Sequence, residues 1–414
     1  MSLGIRLDDV RRRNRAMTIA AVRRAGRPSR TEIVAATNLS HATISAITAD
    51  LIGEGVLVEA KTPEASLIKR GRPQVGLELS GHAAAAVTLS LSMNSLSSAI
   101  TDYSGLVLAE ERRKLDTLKL SRRALIDECV AMARLRLRDP ALAGRRVFRI
   151  VLVVQGTTDA GSRRLVWSPI TPHGDIPFAA ALEQALGVPA TVENDCNMMA
   201  MALSWRDPER YRDNFAAILL SIGVGMGLVL KGELFTGARS SGGEFGHMIH
   251  RPDGALCRCG RRGCIEAYAG DYAIWRNARR KDEGEKPVAE VDPAEMQALI
   301  AAARRREGPE RDAFRKAGEA LGFGLGSLFA LTDAAPVAII GAGGAAFDLI
   351  EGPLLASIAK TSGGQDAKAI SFEVLPDEAP LIREGSALRA LTFIDEEIFA
   401  PGAPVAAERS ALEA

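Results

Sequence analysis

His247, Cys257, Cys259 and Cys264 are the residues whose types and spacing most directly predict chemistry. One imidazole and three thiolates complete a closed tetrahedral zinc site, with no position left for a reacting water. The expected metal is one structural zinc per chain, fixing a loop rather than entering a reaction. Gly254, Gly260 and Gly263 permit the tight backbone that a ligand loop needs. Three of the five cysteines fall within Cys257–Cys264, which speaks for metal ligation rather than a disulfide framework. Cys129 and Cys196 are isolated and read as packing residues.

These ligands need a scaffold, and from Ala83 onward the sequence alternates strands with helices. Val87, Leu89 and Leu91 alternate with Thr88, Ser90 and Ser92, and Tyr103-Ser104-Gly105 leads into Leu106-Val107-Leu108. Phe148–Val154 is a mainly apolar run, as expected of a strand covered on both faces. Ala216–Ile222 and Gly227–Lys231 form a hairpin pattern around Gly223 and Gly225, and Pro336–Ile340 is a late buried strand ending in Gly341-Ala342-Gly343-Gly344. Two lobes that each open with a hairpin and continue as α/β predict an internal duplication. A ligand is expected in the cleft between such lobes, near strand ends.

The first eighty residues have a different texture. Arg15–Ala25 reads as a helix stopped by Gly26, and Ser29-Arg30-Thr31-Glu32 is a capping box opening a second. Ser40 is an N-cap for a third helix that buries Ile44, Ile47 and Leu51. Its other face offers His41, Thr43, Ser45 and Thr48, suited to base edges in a major groove. Val56–Val58 and Gln74–Leu79 read as the strands of a wing, whose loop holds Lys69-Arg70-Gly71-Arg72-Pro73. Arg70 and Arg72 suit a narrow A·T-rich minor groove, unless the loop is simply solvated. Residues 1–80 hold 13 Lys+Arg against 8 Asp+Glu, leaving 39 against 43 in the remainder. A basic module on a mildly acidic body suits double-stranded DNA. A winged helix used for protein contacts is the alternative. Hydrophobic residues make up 47% and charged residues 25%, and no stretch approaches a membrane span, so the expectation is a cytoplasmic protein.

Gly243-Glu244-Phe245-Gly246-His247, followed by Cys257-Arg258-Cys259-Gly260-Arg261-Arg262-Gly263-Cys264-Ile265-Glu266, resembles the signature of the ROK family of repressors, open reading frames and kinases. The resemblance implies an α/β, two-lobed, actin-like and hexokinase-like (ribonuclease H-like) domain behind an N-terminal winged helix-turn-helix. On that basis residues 1–80 form the DNA-binding domain, and 81–200 the first lobe, rejoined by a C-terminal helix at about 375–400. Residues 201–374 form the second lobe with the zinc loop. Val192-Glu193-Asn194-Asp195 resembles the segment in which Asn194 and Asp195 bind sugar hydroxyls, Asp195 matching the general base of family kinases. Glu244 and Glu266 match carboxylates that grip the sugar ring, and His247 a residue that both ligates zinc and touches the sugar.

Departures from the family pattern bear on activity. Family kinases open this domain with an Asp-x-Gly-Gly-Thr-Lys-like phosphate loop, where this chain has Ser90-Leu91-Ser92-Met93-Asn94-Ser95. That stretch has no carboxylate for a metal–nucleotide, no glycine that brings amides to phosphate, and no lysine. Val224 stands where kinases have a hydroxyl-bearing Thr, and Gln155-Gly156-Thr157-Thr158-Asp159 departs from a Pro-Gly pattern near the sugar. The expectation is a sugar-responsive repressor, acting as a homodimer or higher homo-oligomer on an operator and lacking phosphoryl transfer. An ATP-dependent sugar kinase with an added DNA-binding module is the alternative.

Overall fold

The computed structural model describes residues 7–60, 75–238, 240, 242–364 and 370–400. The chain divides into two compact units. One comprises Met1–Val153, Pro177–Val192 and Ser386–Ala414, the other Val154–Ile176 and Glu193–Gly385.

The first unit opens with a winged helix: α1 (Leu7–Ala25), α2 (Arg30–Thr37), α3 (His41–Gly53), β1 (Leu57–Ala60) and β2 (Gly76–Leu79). Ser29 and Glu32 close the expected capping box, and Ser40 accepts from the Thr43 amide at the start of α3. Asn38 takes the left-handed conformation between the two helices, at φ 57°. Ile19, Val22, Ile33, Ile44 and Leu51 of the helices are fully buried, as is Leu77 of β2, which pairs antiparallel with β1. Helix α1 starts eight residues before the expected Arg15. Its early turns are charged rather than apolar, so periodicity gave no signal there; Asp8 and Asp9 instead suit the helix dipole.

Next come β3 (Ala85–Ser92), β4 (Ser95–Asp102), β5 (Val107–Lys114), α4 (Arg122–Leu137) and β6 (Val147–Val154). They are followed by β7 (Thr157–Thr158), β8 (Leu165–Trp167), α5 (Phe178–Leu186), β9 (Ala190–Asn194) and α6 (Asp195–Arg206). The later chain supplies β10 (Phe215–Leu220), β11 (Val224–Leu230), β12 (Glu233–Phe235), α7 (Glu266–Ala269), α8 (Asp271–Ala278), α9 (Pro293–Arg305) and α10 (Pro309–Thr332). It closes with β13 (Val337–Ile340), α11 (Phe347–Ile358), β14 (Phe372–Leu375) and α12 (Ala379–Phe393), followed by a π-helical turn over Ile394–Phe399.

The strand orders are β5-β4-β3-β6-β9 and β12-β11-β10-β13-β14, the same order in each sheet, as expected of a duplicated unit. In the second sheet β10–β12 form an antiparallel meander, while β13 lies parallel to β10 and β14 parallel to β13. Against this sheet packs α10, whose Gly318 and Gly322 face the backbone of α11. A Cβ there would lie 2.5 Å from the Ile350 oxygen and 2.3 Å from the Leu354 oxygen, so only glycine admits this close helix pair.

Among the described residues, no helix is long and apolar enough to cross a membrane.

Candidate functional site

The residues that could act lie in the second unit, around the β10–β11 hairpin and the loop after β12. His247 ends a 3₁₀ turn, and the bridges Ile249–Cys264 and Leu256–Arg262 fold the following loop back beside it. Gly260 and Gly263 have φ of 85° and 80°, and a Cβ on Gly263 would lie 1.7 Å from the Arg251 oxygen. Gly254 has no such backbone; its requirement is the Tyr268 hydroxyl, 2.1 Å from where a Cβ would stand.

The loop brings ligand atoms of His247, Cys257, Cys259 and Cys264 within 4.8 Å of one another. Cys259 and Cys264 sulfurs are 3.8 Å apart, and His247 Nδ1 is 3.7 Å from Cys257 Sγ. A tetrahedron with metal–sulfur bonds of about 2.3 Å has edges of about 3.8 Å, so this cluster could hold a metal ion of that coordination. Hydrogen bonding from Cys257 holds the Cys259 thiol down at about 3, while hydrogen bonding to Cys259 and burial raise Cys257, and burial and the nearby Cys259 sulfur push Cys264 up to about 11. Without a cation only one of the three sulfurs is a thiolate; a bound metal would ionise the other two.

Beside the cluster opens a cleft lined by Asn194, Asp195, Glu244, His247 and Glu266 among others. All five expected ligand residues therefore meet in one place, but with different freedom. Asn194 is the N-cap of α6: its Oδ1 accepts from the Asn197 amide, and its Nδ2 donates to the Gly156 oxygen and to Asp195 Oδ1. Both amide donors are thus engaged in shaping the cleft. Asp195 is buried, with its Oδ1 accepting from the Cys196 amide; burial outweighs that bond and raises its carboxyl to about 7. Glu266 is also buried. Its Oε2 accepts from the Val224 amide at 3.2 Å, while Cys257 Sγ and the Tyr272 hydroxyl donate to Oε1 at 3.5 and 3.4 Å. It thereby ties the tip of the β10–β11 hairpin to the cysteine loop. Glu244 is the most accessible of the three carboxylates and accepts from the Thr157 hydroxyl at 2.9 Å.

One cleft residue escaped sequence reasoning: Trp167 sets its ring edge-on to His247, with centroids 5.5 Å apart. Thr157, in the loop expected near the sugar, holds Glu244. Both come from the β7–β8 hairpin, a short irregular pair without a periodic signal. Cys196, expected only as packing, also lines the cleft. Glycines 225 and 227 serve helix packing: a Cβ would lie 2.5 Å from Cys196 Sγ in one case and 2.3 Å from the Cys196 oxygen in the other.

In the winged helix, His41 and Ser45 are exposed and share one flank of α3, while half-buried Thr43, two residues from each, lies on the other flank. Thr48 corrects its assignment to that face. It is fully buried, donating to the Ile44 oxygen at 2.8 Å and accepting from Arg30 Nε at 3.1 Å. The charge reading changes as well. Arg11, Arg12, Arg15, Arg23, Arg27 and Arg30 all make ion pairs with carboxylates of the first unit, so much of the N-terminal positive charge is engaged internally. Arg70 and Arg72 lie outside the described residues.

The described residues thus combine a winged helix with a duplicated α/β sheet and a polar cleft beside a His-Cys₃ cluster. The model of the ROK family matches residues 93–367, and the chain belongs to this family. A xylose repressor of Caldicellulosiruptor bescii is 26% identical over 252 residues, 59% of this chain and 61% of that protein. A glucokinase of Thermotoga maritima is 35% identical over 125 residues, 30% of this chain and 39% of that one. The chain thus spans less than two thirds of the length of either relative. A crystal structure of a ROK family transcriptional regulator, a homologue of the Escherichia coli Mlc protein, superposes with a TM-score of 0.78. That match is 21% identical and covers 95% of this chain and 99% of the other, and it shows the shared fold.

Proposed function

We propose that this protein is a DNA-binding transcriptional repressor whose operator affinity is set by an uncharged sugar bound in the cleft. The observation that carries the reading is the composition of that cleft. Asp195, Glu244 and Glu266 face it, and no Lys or Arg stands among its described lining residues. Carboxylates accept bonds from sugar hydroxyls, whereas unpaired they repel phosphate and carboxylate groups. Trp167 adds a flat apolar wall for a ring face. A zinc ion held by His247 Nδ1 and the three cysteine sulfurs would supply loop rigidity, and it would leave His247 Nε2 toward Glu244 and the sugar. In a cytoplasmic homodimer, sugar binding would shift the balance between arrangements of the two winged helices that do and do not match an operator's half-sites. His41, Thr43 and Ser45 would read bases, with Arg70 and Arg72 at the backbone or minor groove.

The first-sheet hairpin supports loss of phosphoryl transfer. Ser92 and Ser95 pair across Met93 and Asn94, a tight turn without glycine. The Asn94 amide faces the Thr117 hydroxyl at 3.3 Å rather than an open cradle for phosphate.

One observation favours the kinase reading: buried Asp195, with its carboxyl raised to about 7, is poised as a general base. The test is a panel of aldoses, their phosphates and their uronic acids, assayed by thermal shift and by phosphate transfer from ATP. We expect a neutral aldose to raise the melting temperature, with its phosphate ineffective and no transfer. Robust sugar phosphorylation that disappears in Asp195→Asn would overturn the repressor-only reading.

A further inference from the structure

Helix α1 is bound to the last described segment of the chain. Arg12, Arg15 and Arg23 project from one side of α1, being separated by three and eight residues. All three reach the π-helical turn Ile394–Phe399. Arg23 makes a forked pair with Asp395, Nε to Oδ2 and Nη2 to Oδ1, both at 2.8 Å. Its Nη1 donates to the Tyr103 backbone oxygen at 2.9 Å, and the Tyr103 hydroxyl donates to Asp395 Oδ1 at 2.6 Å. The Arg23 and Asp395 side chains are only 6% and 7% exposed. Arg15, fully buried, donates through Nε and Nη2 to the Phe399 oxygen at 3.2 and 3.0 Å. Phe399 packs edge-on against Tyr103, with ring centroids 4.9 Å apart. Arg12 adds an outer pair with Glu397 at 2.8 Å.

An apolar contact would have held these elements at least as strongly, because burying an ion pair is costly. What a forked and fully bonded pair adds is a single permitted geometry. The chain leading into this cluster is equally suggestive. Helix α12 begins among residues of the second compact unit, continues into the first, and runs directly into the π-helical turn. A π-helical turn at such a point is uncommon and is often found at functional positions.

We propose that the Arg23–Asp395–Tyr103 cluster is a coupling latch that fixes the winged helix to the end of α12, so that a displacement of α12 is transmitted to the DNA-binding helices. This rests on the repressor reading for its purpose, but the latch can be tested without knowing the sugar. Linkage is reciprocal: if α12 acts on DNA affinity, DNA acts on α12.

The experiment is hydrogen exchange on the full-length zinc-loaded protein, alone and with a duplex selected from random DNA by the wild type. In the wild type we expect DNA to slow exchange in α12 and in residues 394–399. In Asp395→Asn, α1 amides should exchange at least about ten times faster, the cysteine loop should be unchanged, and DNA should no longer protect α12. Should Asp395→Asn not fold, Tyr103→Phe removes one hydrogen bond while leaving the ion pair, and should show a smaller change of the same kind. Wild-type exchange in both variants, or a wild-type protein that binds the duplex without any response in α12, would overturn the latch. Failure to select any duplex would instead count against the repressor reading, and α1 exchange without DNA would still decide the latch.

Discussion

The two sheets share one strand order, yet the tips of their opening hairpins have opposite characters. In the first, Ser92 and Ser95 face each other across Met93-Asn94, and Asn94 itself adopts φ 53°. The turn is held by the segment that follows β5: the Asn94 amide donates to the Thr117 hydroxyl, and the Leu115 amide donates to the Asn94 oxygen. In the second, Ser221-Ile222-Gly223 is held from outside. Asp271 donates its amide to the Ser221 oxygen, Arg258 donates to the Ile222 oxygen, and Glu266 accepts the Val224 amide. Arg258 lies between Cys257 and Cys259 and Glu266 two residues after Cys264, so this tip is positioned by the same segment that could hold the metal. One topology thus yields a two-residue turn held by the segment after β5 in one copy, and a three-residue, cleft-facing tip held by the cysteine loop and α8 in the other.

The largest test of this contrast is removal of the metal cluster. Cys259→Ser should abolish stoichiometric zinc and cost about 4 kcal/mol or more. Loss of protection should be confined to 221–230 and 244–272 while β3 and β4 remain protected. Full zinc content in that variant, by elemental analysis, would contradict the ligand set.

Asp195→Asn comes next, and its two effects run in opposite directions. Sugar affinity should fall by ~1.5–3 kcal/mol through loss of a charged acceptor, as read by calorimetry. Stability should rise above neutral pH. Burial lifts the folded-state carboxyl from its ordinary 3.8 to about 7, so the folded protein holds this proton more tightly than the unfolded chain. The resulting penalty is absent below both values, grows as pH rises from about 4 to about 7, and is then constant, on the order of 4 kcal/mol at most. Urea titrations should therefore find the variant equal to wild type at low pH and more stable at pH ~8. A difference independent of pH would remove the burial argument.

Gly223→Ala probes the tip itself. The new methyl carbon would lie 2.6 Å from Glu266 Oε2, so the carboxylate must move. We expect a cost of about 1–3 kcal/mol and weaker sugar binding, both measurable by thermal shift. The counterpart in the other sheet, Asn94→Gly, should change stability by about 0.5 kcal/mol or less, because glycine adopts the left-handed conformation freely. Sugar binding should not respond. If it did, the first tip would have a role that its bonds to the segment after β5 do not suggest.

The sequence went far wherever the signal was local. The capping box at Ser29, the N-cap at Ser40 and the buried series Ile44, Ile47 and Leu51 depend on neighbours within one or two turns, and they were legible. So was the gathering of His247 with the cysteines, because ligand types at short spacing leave few alternatives. The repeated α/β texture foretold the doubled sheet. Tertiary structure decided what depends on distant partners. It buried Thr48 under Arg30, made Asn194 a cap with engaged donors, and brought Trp167 into the cleft from an unpatterned hairpin. It also paired Arg15 of α1 with Glu54, and Arg12 and Arg23 with carboxylates more than 370 residues away, where composition had suggested a surface for DNA. Charge content is fixed by sequence. Whether a charge faces solvent or a buried carboxylate depends on contacts that only the folded chain creates.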